Sequence, residues 1–269
     1  MKKLLIFILL FALSACATSP TGRPQLMLIS PEQAIESSRA AYVQTLKPLQ
    51  KDGKIDSDVL VSKRIRLITG KLIAQAISLY PQSSEWQWSV KVIDAPETVN
   101  AWCMAGGKMA IYTGLINQTK ATDDEIAQVM GHEISHALAN HTAEKMSMAM
   151  ASQIGLMGLV IALGDNKYGG AILTGSSAAA AIAITLPNSR TAEEEADAIG
   201  IELAARAGYN PKAAVSLWQK MGKIGGKRPP QFLSTHPSPD NRQETLAALA
   251  DKVMPFYLNK SKRPVYHLQ

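Results

Sequence analysis

Residues 122–136 read TDDEIAQVMGHEISH, a segment that contains a helix start followed by an H-E-x-x-H pattern. Thr122 can act as the N-cap of this helix, because Glu125 follows three residues later and completes a capping box. The apolar residues that come next keep helical spacing. The segment therefore predicts a long helix, which we expect to run past His141.

His132 and His136 are four residues apart on this predicted helix, so their side chains project from one face, one turn apart. Two imidazoles in that arrangement can bind one metal ion. Glu133 lies about 100° round the helix from His132, beside the expected metal, where it can act as a general base toward water. Because the chain has only five histidines, we interpret the pattern as a metal site and not as a chance match.

A catalytic zinc site needs a third protein ligand and keeps one coordination position open. His141 lies five residues beyond the second histidine, so we expect it to point away from the metal, at the helix end or the surface. The segment 189–200, SRTAEEEADAIG, offers better candidates, since Glu193 and Asp197 lie one turn apart on one helix face. A glycine continues that face and permits a close helix approach. The alternative is that these glutamates only complement the positive end of a helix.

The N-terminus has the form of a bacterial lipoprotein signal. A basic start precedes an apolar stretch over residues 4–13, which is too short to span a bilayer as a helix. The sequence Leu-Ser-Ala-Cys that ends at Cys16 resembles a lipobox, so residues 1–15 are predicted to be a removed signal peptide and Cys16 to be lipidated. The alternative is an ordinary signal peptide that ends in a cysteine. Lipidation of one of the two cysteines leaves Cys103 unpaired and excludes a disulfide framework.

These features predict a lipid-anchored protein of the cell envelope that faces the periplasm. Ala17, and not Asp, follows the lipidated cysteine, which favours the outer membrane over the inner one. Residues 16–31 are rich in proline and are predicted to form a lipidated tether. Removal of the two lysines in the signal lowers the formal net charge from +6 to +4 (6 − 2). The remaining basic residues are scattered, so no nucleic-acid-binding module is predicted.

The remaining chain predicts an α+β fold that is mainly helical, with a small β-sheet beside the helix of the H-E-x-x-H motif. Gly106-Gly107 suits a tight hairpin turn between two short strands. We expect one domain over residues 32–255, followed by a C-terminal tail over residues 256–269. The predicted elements ahead of the motif are helices over residues 32–47 and 58–80 and strands over residues 86–92, 99–104 and 108–112.

Residues 145–190 contain two uncharged stretches, 146–164 and 168–189, that are rich in Ala, Gly, Ser and Met. Their length would permit a membrane hairpin. Their small side chains, in place of Leu, Ile and Phe, favour a hairpin of two closely packed helices within the domain.

Together these motifs resemble the gluzincin family that includes HtpX and the CaaX prenyl proteases. H-E-x-x-H followed by S-R-x-x-E-x-E-A-D-x-x-G is the core of the resemblance, which covers about residues 20–250. The start of the chain is similar to a secreted lipoprotein branch related to the Oma-type proteases. Cys103 and Met104 stand where other apolar residues are common in the family. The further similar segments are Thr21-Gly22-Arg23, Gln25-Leu26, Asn100-Ala101-Trp102, Gly106-Gly107, residues 112–115 and Thr235-His236-Pro237 with Arg242.

The resemblance implies one zinc ion per chain, with His132, His136 and Glu193 as its ligands. It also implies that Glu133 is the general base. Asp197 is then a carboxylate that does not bind the zinc itself but holds one of the ligand histidines in position.

An oxyanion forms during peptide hydrolysis and needs a hydrogen-bond donor, which His236 or Arg242 can provide. His236 lies in a loop stiffened by prolines. If its imidazole reached the zinc, it would fill the open position and act as a latch. We favour the oxyanion role, because a latch requires the loop to move away for substrate. A purely structural histidine is the third alternative.

The strand that contains Asn100, Ala101 and Trp102 is expected to offer its edge to an extended substrate peptide, unless it is only a strand of the core. We therefore expect a zinc-dependent metalloendopeptidase that hydrolyses envelope polypeptides in periplasmic quality control, with envelope protein complexes as partners. The alternative is a lipoprotein chaperone or assembly factor with a structural zinc site. Glu133 argues against it, because a structural site has no use for a carboxylate beside an open position.

Overall fold

A computed structural model describes residues 16–162, 186–224, 230–237 and 241–268. The predicted α+β fold with an excess of helix is confirmed. In chain order the elements are β1 (Cys16–Thr18), β2 (Pro24–Leu26), α1 (Pro31–Lys51), α2 (Val59–Leu79), a 3₁₀ turn (Pro81–Glu85), β3 (Ser89–Ile93), β4 (Ala101–Met104), β5 (Lys108–Tyr112), α3 (Thr113–Thr119), α4 (Asp123–Leu138), α5 (His141–Ala162), α6 (Arg190–Arg206), α7 (Ala213–Ile224), α8 (Gln231–Thr235) and α9 (Arg242–Leu258).

Two predicted features lie wholly or partly outside the described residues. The signal peptide over residues 1–15 is one of them. The predicted helical hairpin is the other: its first helix corresponds to α5, whereas residues 163–185 are not described. Within the described ranges, no helix is both long and apolar enough to cross a membrane.

A three-stranded sheet lies beside the H-E-x-x-H helix, in the order β3-β5-β4. β3 is parallel to β5, and β4 is antiparallel to it. Gly106 and Gly107 form the hairpin between β4 and β5 with φ of +75° and +74°, a backbone conformation that favours glycine. β3, which was predicted over residues 86–92, begins at Ser89 and not at Trp86, because its pairing partner in β5 begins only at Lys108.

The capping box predicted for α4 is present. The Thr122 hydroxyl accepts a hydrogen bond from the Glu125 amide at 3.2 Å, and the Glu125 carboxylate accepts one from the Thr122 amide at 2.9 Å. The predicted end of this helix is wrong, because α4 ends at Leu138. Asn140 has a φ of +58°, which turns the chain so that His141 starts a separate helix. Asparagine tolerates this left-handed conformation better than most residues.

α4 and α6 approach each other until their backbones touch. A Cβ atom added to Gly131 would lie 2.8 Å from the Gly200 carbonyl oxygen, and one added to Gly200 would lie 2.7 Å from the His132 amide nitrogen. Side chains at either position would therefore push the helices apart. This contact sets α6 against the face of α4 that bears the histidines.

Both ends of the described chain pack onto the domain. β1 and β2 form a hairpin within the predicted tether, and Gln25 in β2 is buried. At the other end α9 continues to Leu258, beyond the predicted domain boundary. The Tyr266 amide then donates a hydrogen bond of 2.9 Å to the Gly70 carbonyl of α2. The packed domain thus includes segments that sequence composition assigned to a tether and a tail.

Candidate active site

The H-E-x-x-H helix presents both of its histidines to one point. The Nε2 atoms of His132 and His136 are 3.0 Å apart, and both residues are buried. The convergence follows from their four-residue separation on α4, because side chains at that spacing share a helix face. The Nε2 atom of each histidine can therefore direct a lone pair at the same cation.

Glu193 reaches the same point from α6. Its Oε2 atom lies 3.3 Å from His132 Nε2, and its Oε1 atom lies 3.3 Å from His136 Nε2. The carboxylate is fully buried, and the Asn188 side-chain amide donates a hydrogen bond of 2.7 Å to its Oε1 atom. Glu193 therefore completes a group of two imidazoles and one carboxylate.

His236 is the fourth side chain at this point. It directly follows α8, and its Nδ1 atom lies 2.9 Å from Glu193 Oε1 and 3.2 Å from His132 Nε2. Its ring stacks on the ring of Phe232, with 4.4 Å between the centroids. The imidazole is buried. It lies where a fourth metal ligand would lie.

These four side chains fit a divalent metal ion. One ligand atom from each of His132, His136, Glu193 and His236 lies within 4.8 Å of the others. Within the described residues, Glu193 Oε2 has no partner with hydrogen-bond geometry, although charged groups lie close to it. Imidazole nitrogens and a carboxylate oxygen are ligands that zinc prefers. A cation would give this carboxylate oxygen the well-directed partner that the described residues do not provide.

Glu133 lies beside this group. Its Oε1 atom is 3.3 Å from His236 Nε2 and lacks a hydrogen-bond partner in the described part of the chain. Burial raises the pKa of the Glu133 carboxyl, and the neighbouring His236 and His132 only partly counter this rise. Burial also acts to raise the pKa of Glu193, but the same two histidines hold it well below its usual range. Opposite shifts suit two different roles, a proton acceptor and an ionised ligand.

Asp197 and Arg242 lie on the side of His132 that faces away from the metal position. Asp197 Oδ1 lies 3.0 Å from His132 Nδ1, the ring nitrogen that faces away from the metal position. Arg242 donates a hydrogen bond of 2.7 Å to the same carboxylate oxygen and lies 3.1 Å from Glu193 Oε2. A carboxylate on the second ring nitrogen orients a ligand histidine. Arg242 thus contacts two carboxylates of the site from behind.

The comparison with known protein families agrees with this geometry. Residues 62–250 match the family described as Peptidase family M48. The chain belongs to peptidase family M48. The predicted gluzincin-type metallopeptidase domain, with its resemblance to the Oma-type proteases, is therefore confirmed.

Individual members of the M48 family are similar over different parts of the chain. The mitochondrial metalloendopeptidase OMA1 of Arabidopsis thaliana is 41% identical over 160 residues, which are 60% of this chain and 31% of that protein. The mitochondrial metalloendopeptidase OMA1 of Bos taurus is 30% identical over 263 residues, 93% of this chain and 49% of that protein. The beta-barrel assembly-enhancing protease of Escherichia coli is 27% identical over 227 residues, 81% of this chain and 44% of that protein. The chain spans less than half the length of each of these three relatives.

The predicted substrate strand of this M48 domain is β4, which borders the metal position. Ala101 and Trp102 line a narrow cavity of about 30 Å³ together with Glu133 and His236. Asn100 precedes the strand, and its carbonyl accepts a hydrogen bond of 3.1 Å from the Tyr112 amide. Since one water needs roughly 10–15 Å³, a cavity of about 30 Å³ has room for about two waters.

One histidine of the site was only partly predicted from sequence. His141 lies at a helix end, as the first residue of α5, and outside the group of ligand atoms, but it is buried and not at the surface. His141 is 2% exposed, and its Nδ1 atom lies 2.7 Å from His136 Nδ1. The left-handed turn at Asn140 carries it back to the site. An asparagine near the end of a helix was the available signal for that turn.

Two further residues of the M48 site were not found from sequence. Asn188 contacts Glu193 and also lies 3.3 Å from His236 Nδ1. Lys145 lines the narrow cavity, and burial lowers its pKa to about 8 against the opposing effect of Glu133 and Glu193. Neither residue belongs to a spaced motif, so only the folded chain identifies them.

Proposed function

We propose that this M48 domain is a zinc-dependent endopeptidase that hydrolyses polypeptides of the cell envelope. The observation that supports it is the convergence of His132, His136 and Glu193 on one point, beside a Glu133 whose Oε1 atom has no hydrogen-bond partner among the described residues. Three protein ligands and one adjacent carboxylate are the groups that a hydrolytic zinc site requires.

A chaperone or assembly factor with a structural zinc site is the less favoured alternative. A structural site is saturated by its protein ligands and gives no role to an extra carboxyl. Burying such a carboxyl without a hydrogen-bond partner costs free energy. The buried position of Glu133 at 2% exposure therefore argues for a chemical role.

The residues of the site have different roles in the proposed hydrolysis. Bound zinc supplies a Lewis acid that polarises the scissile carbonyl and lowers the pKa of water. Glu133 accepts the proton of the attacking water and returns it to the leaving amine, and its raised pKa suits both transfers. Asp197 holds the ring of His132, and Arg242 holds the carboxylates of Asp197 and Glu193, so that the ligands stay in place during the reaction.

Hydrolysis of an unstructured polypeptide tests this function. The zinc-loaded protein is expected to cleave β-casein, a chelator such as 1,10-phenanthroline should abolish cleavage, and added zinc should restore it. Far-ultraviolet circular dichroism should show that the metal-free protein stays folded. Absence of cleavage by zinc-loaded protein, including the His236→Ala variant described below, would contradict the proposal. Unfolding on metal removal without cleavage in any state would support the structural-zinc alternative.

The substrate class rests on relatives and on the predicted compartment. One relative is named a beta-barrel assembly-enhancing protease, and the lipobox predicts export to the envelope. We propose that this protein acts in quality control on misfolded or misassembled envelope proteins, with envelope protein complexes as partners and without nucleic acid. Proteomics of a strain that lacks the protein tests this, and an unchanged envelope proteome would count against it.

The lipid anchor belongs to the same proposal. β1 begins at Cys16, which pairs with Leu26 of β2. A lipid on Cys16 would therefore hold the packed domain close to the membrane surface, on its periplasmic side. Ala17 favours sorting to the outer membrane.

Replacing Cys16 by alanine is expected to move the protein from the membrane to the soluble fraction. Casein hydrolysis should be unchanged, because Cys16 carries the lipid and has no part in the proposed hydrolysis. Membrane fractionation and labelling with a radioactive fatty acid measure this. Wild-type protein found mainly in the inner membrane would refute the outer-membrane assignment. A Cys16→Ala protein that stays in the membrane would identify residues 145–190 as a second anchor.

His236 is proposed to close the site when no substrate is bound. Its Nδ1 atom lies among the ligand atoms of the predicted zinc ligands, where it would fill the coordination position that a hydrolytic site keeps open. The adjoining cavity of about 30 Å³ has room for about two waters. This geometry favours the latch over the oxyanion role that the sequence suggested.

Replacing His236 by alanine is expected to raise the basal rate of casein cleavage several-fold, because the open position becomes available to water. Initial rates with saturating zinc measure this, and His267→Ala, at an exposed histidine, is the matched control. A loss of roughly a hundredfold with zinc still bound would instead support the oxyanion role. An unchanged rate and zinc content would show that His236 is structural.

A further inference from the structure

On the side that faces away from the metal position, the two histidines of the H-E-x-x-H motif have different partners. His132 contacts a carboxylate directly, through Nδ1 and Asp197. His136 contacts another histidine, with 2.7 Å between its Nδ1 atom and that of His141. The far nitrogen of His141, Nε2, lies 3.1 Å from Glu195 Oε2. The second histidine is therefore connected to a carboxylate through an intervening imidazole.

When His136 binds a metal, only one arrangement of hydrogens allows both the His136–His141 and the His141–Glu195 hydrogen bonds. Its Nε2 atom must then offer a lone pair, so its Nδ1 atom carries the hydrogen and donates to His141 Nδ1. His141 consequently carries its hydrogen on Nε2 and donates it to Glu195. Each of the two imidazoles then has its rotation fixed by a hydrogen bond.

Glu195 is in turn held by the N-terminal segment Thr21–Gln25, which we call the clip. The Thr21 hydroxyl donates a hydrogen bond of 2.6 Å to Glu195 Oε1, and Arg23 Nε donates one of 3.1 Å to Oε2. The Glu195 side chain is 2% exposed. Because solvent does not reach it, these contacts and the one from His141 decide where the carboxylate lies.

The clip also binds the two helices that flank the metal position. The Arg23 guanidinium makes a bidentate contact with Glu144 of α5, at 2.7 and 2.6 Å. The Gln25 amide donates hydrogen bonds to the Ala139 carbonyl, at the end of α4, and to Glu144. Bidentate arginine contacts have a defined geometry. The clip thus ties the end of the H-E-x-x-H helix to the helix that begins at His141.

We infer that the clip supports metal binding, because it positions the His136 ring through Glu195 and His141. The inference rests on the proposed function, in which His136 is a zinc ligand. His141, Glu195 and Thr21 are positioning residues under this inference. The clip lies upstream of the span 62–250 that matches the M48 family, and it begins five residues after the predicted lipid anchor at Cys16.

Two isosteric substitutions in the full-length protein test the clip. Glu195→Gln should raise the zinc dissociation constant roughly 10–100-fold, the range found when an outer partner of a metal-ligating histidine is lost. Glu194→Gln, at the exposed neighbouring position, should leave it unchanged. Thr21→Val removes one hydroxyl and should raise the constant about tenfold, whereas Thr21→Ser should restore it. Competition with a chromophoric chelator measures all five proteins, wild type included.

A purely structural clip would behave differently. It would lower the melting temperature of the metal-free protein without changing the zinc dissociation constant or the visible spectrum of the cobalt-substituted protein. Wild-type zinc affinity in both Glu195→Gln and Thr21→Val would overturn the inference while leaving the proposed function intact. If Glu195→Gln does not fold, the Thr21→Val and Thr21→Ser pair decides. A wild-type protein that binds no zinc would overturn the inference and the proposed function together.

Discussion

Replacing Glu133 by glutamine is expected to lower the rate of casein hydrolysis roughly 10³-fold while one zinc ion stays bound per chain. General-base catalysis contributes about 10²–10⁴-fold to enzymatic rates, and an amide cannot accept the proton from water. The three predicted ligands are untouched, and glutamine has nearly the shape of the buried glutamate side chain it replaces. Initial rates and zinc content by atomic absorption measure the two effects separately.

The Glu133→Gln experiment needs a control that removes a carboxylate elsewhere. Glu194→Gln serves, because Glu194 is exposed on α6, and it should keep both the rate and the zinc. Loss of zinc from the Glu133→Gln protein would show that the residue is a ligand. Near-normal cleavage would show that another group is the base, and Lys145, with its pKa of about 8, would be the next candidate in the cavity.

Replacing Glu193 by alanine is expected to weaken zinc binding by more than about 100-fold, and with it to abolish hydrolysis at limiting zinc. Loss of an outer partner alone costs 10–100-fold in affinity, and Glu193 is placed to bind directly. Its two oxygen atoms lie 3.3 Å from the Nε2 atoms of His132 and His136. Chelator competition gives the dissociation constant, and circular dichroism checks that α6 remains folded.

The choice of control for Glu193→Ala depends on the structure. Helical spacing alone predicts a smaller effect on zinc binding for Glu194→Ala and Glu195→Ala than for Glu193→Ala, since these residues are rotated away from Glu193 by about 100° and 200°. Glu195 is instead buried and contacts His141 at 3.1 Å, so its substitution should also weaken zinc binding. Glu194→Ala is therefore the proper control. Equal zinc affinity in Glu193→Ala and Glu194→Ala would mean that the third ligand lies elsewhere, with His236 the next candidate.

Much of the fold followed from local patterns. The capping box at Thr122 and Glu125 marked the start of α4, and the paired glycines marked the β4–β5 hairpin. Element ends were less predictable, as the strand that begins at Ser89 in place of Trp86 shows. A strand exists only where a partner pairs with it, and the partner's position is a property of the folded sheet.

Four residues of the site, in two pairs, were also accessible from the sequence, for two different reasons. The spacing of His132 and His136 places them together on any helix. Glu193 and Asp197 were found because they share a helical phase and resemble a family motif. The helix contact at Gly131 and Gly200 then determines how α6 meets α4, and no spacing rule contains that distance.

The sequence by itself determined where helices start, which histidines share a face, which carboxylate stands beside them, and where a lipid is predicted to be attached. These are short-range properties, set by bond geometry and by hydrogen bonds over a few residues. Only the tertiary structure decided that His141 lies behind His136, that His236 reaches the ligand atoms, and that the clip holds Glu195. The reason is that these contacts depend on how the chain is redirected and packed: the left-handed turn at Asn140 returns His141 to His136, and tertiary packing brings residues more than a hundred positions apart within hydrogen-bond distance.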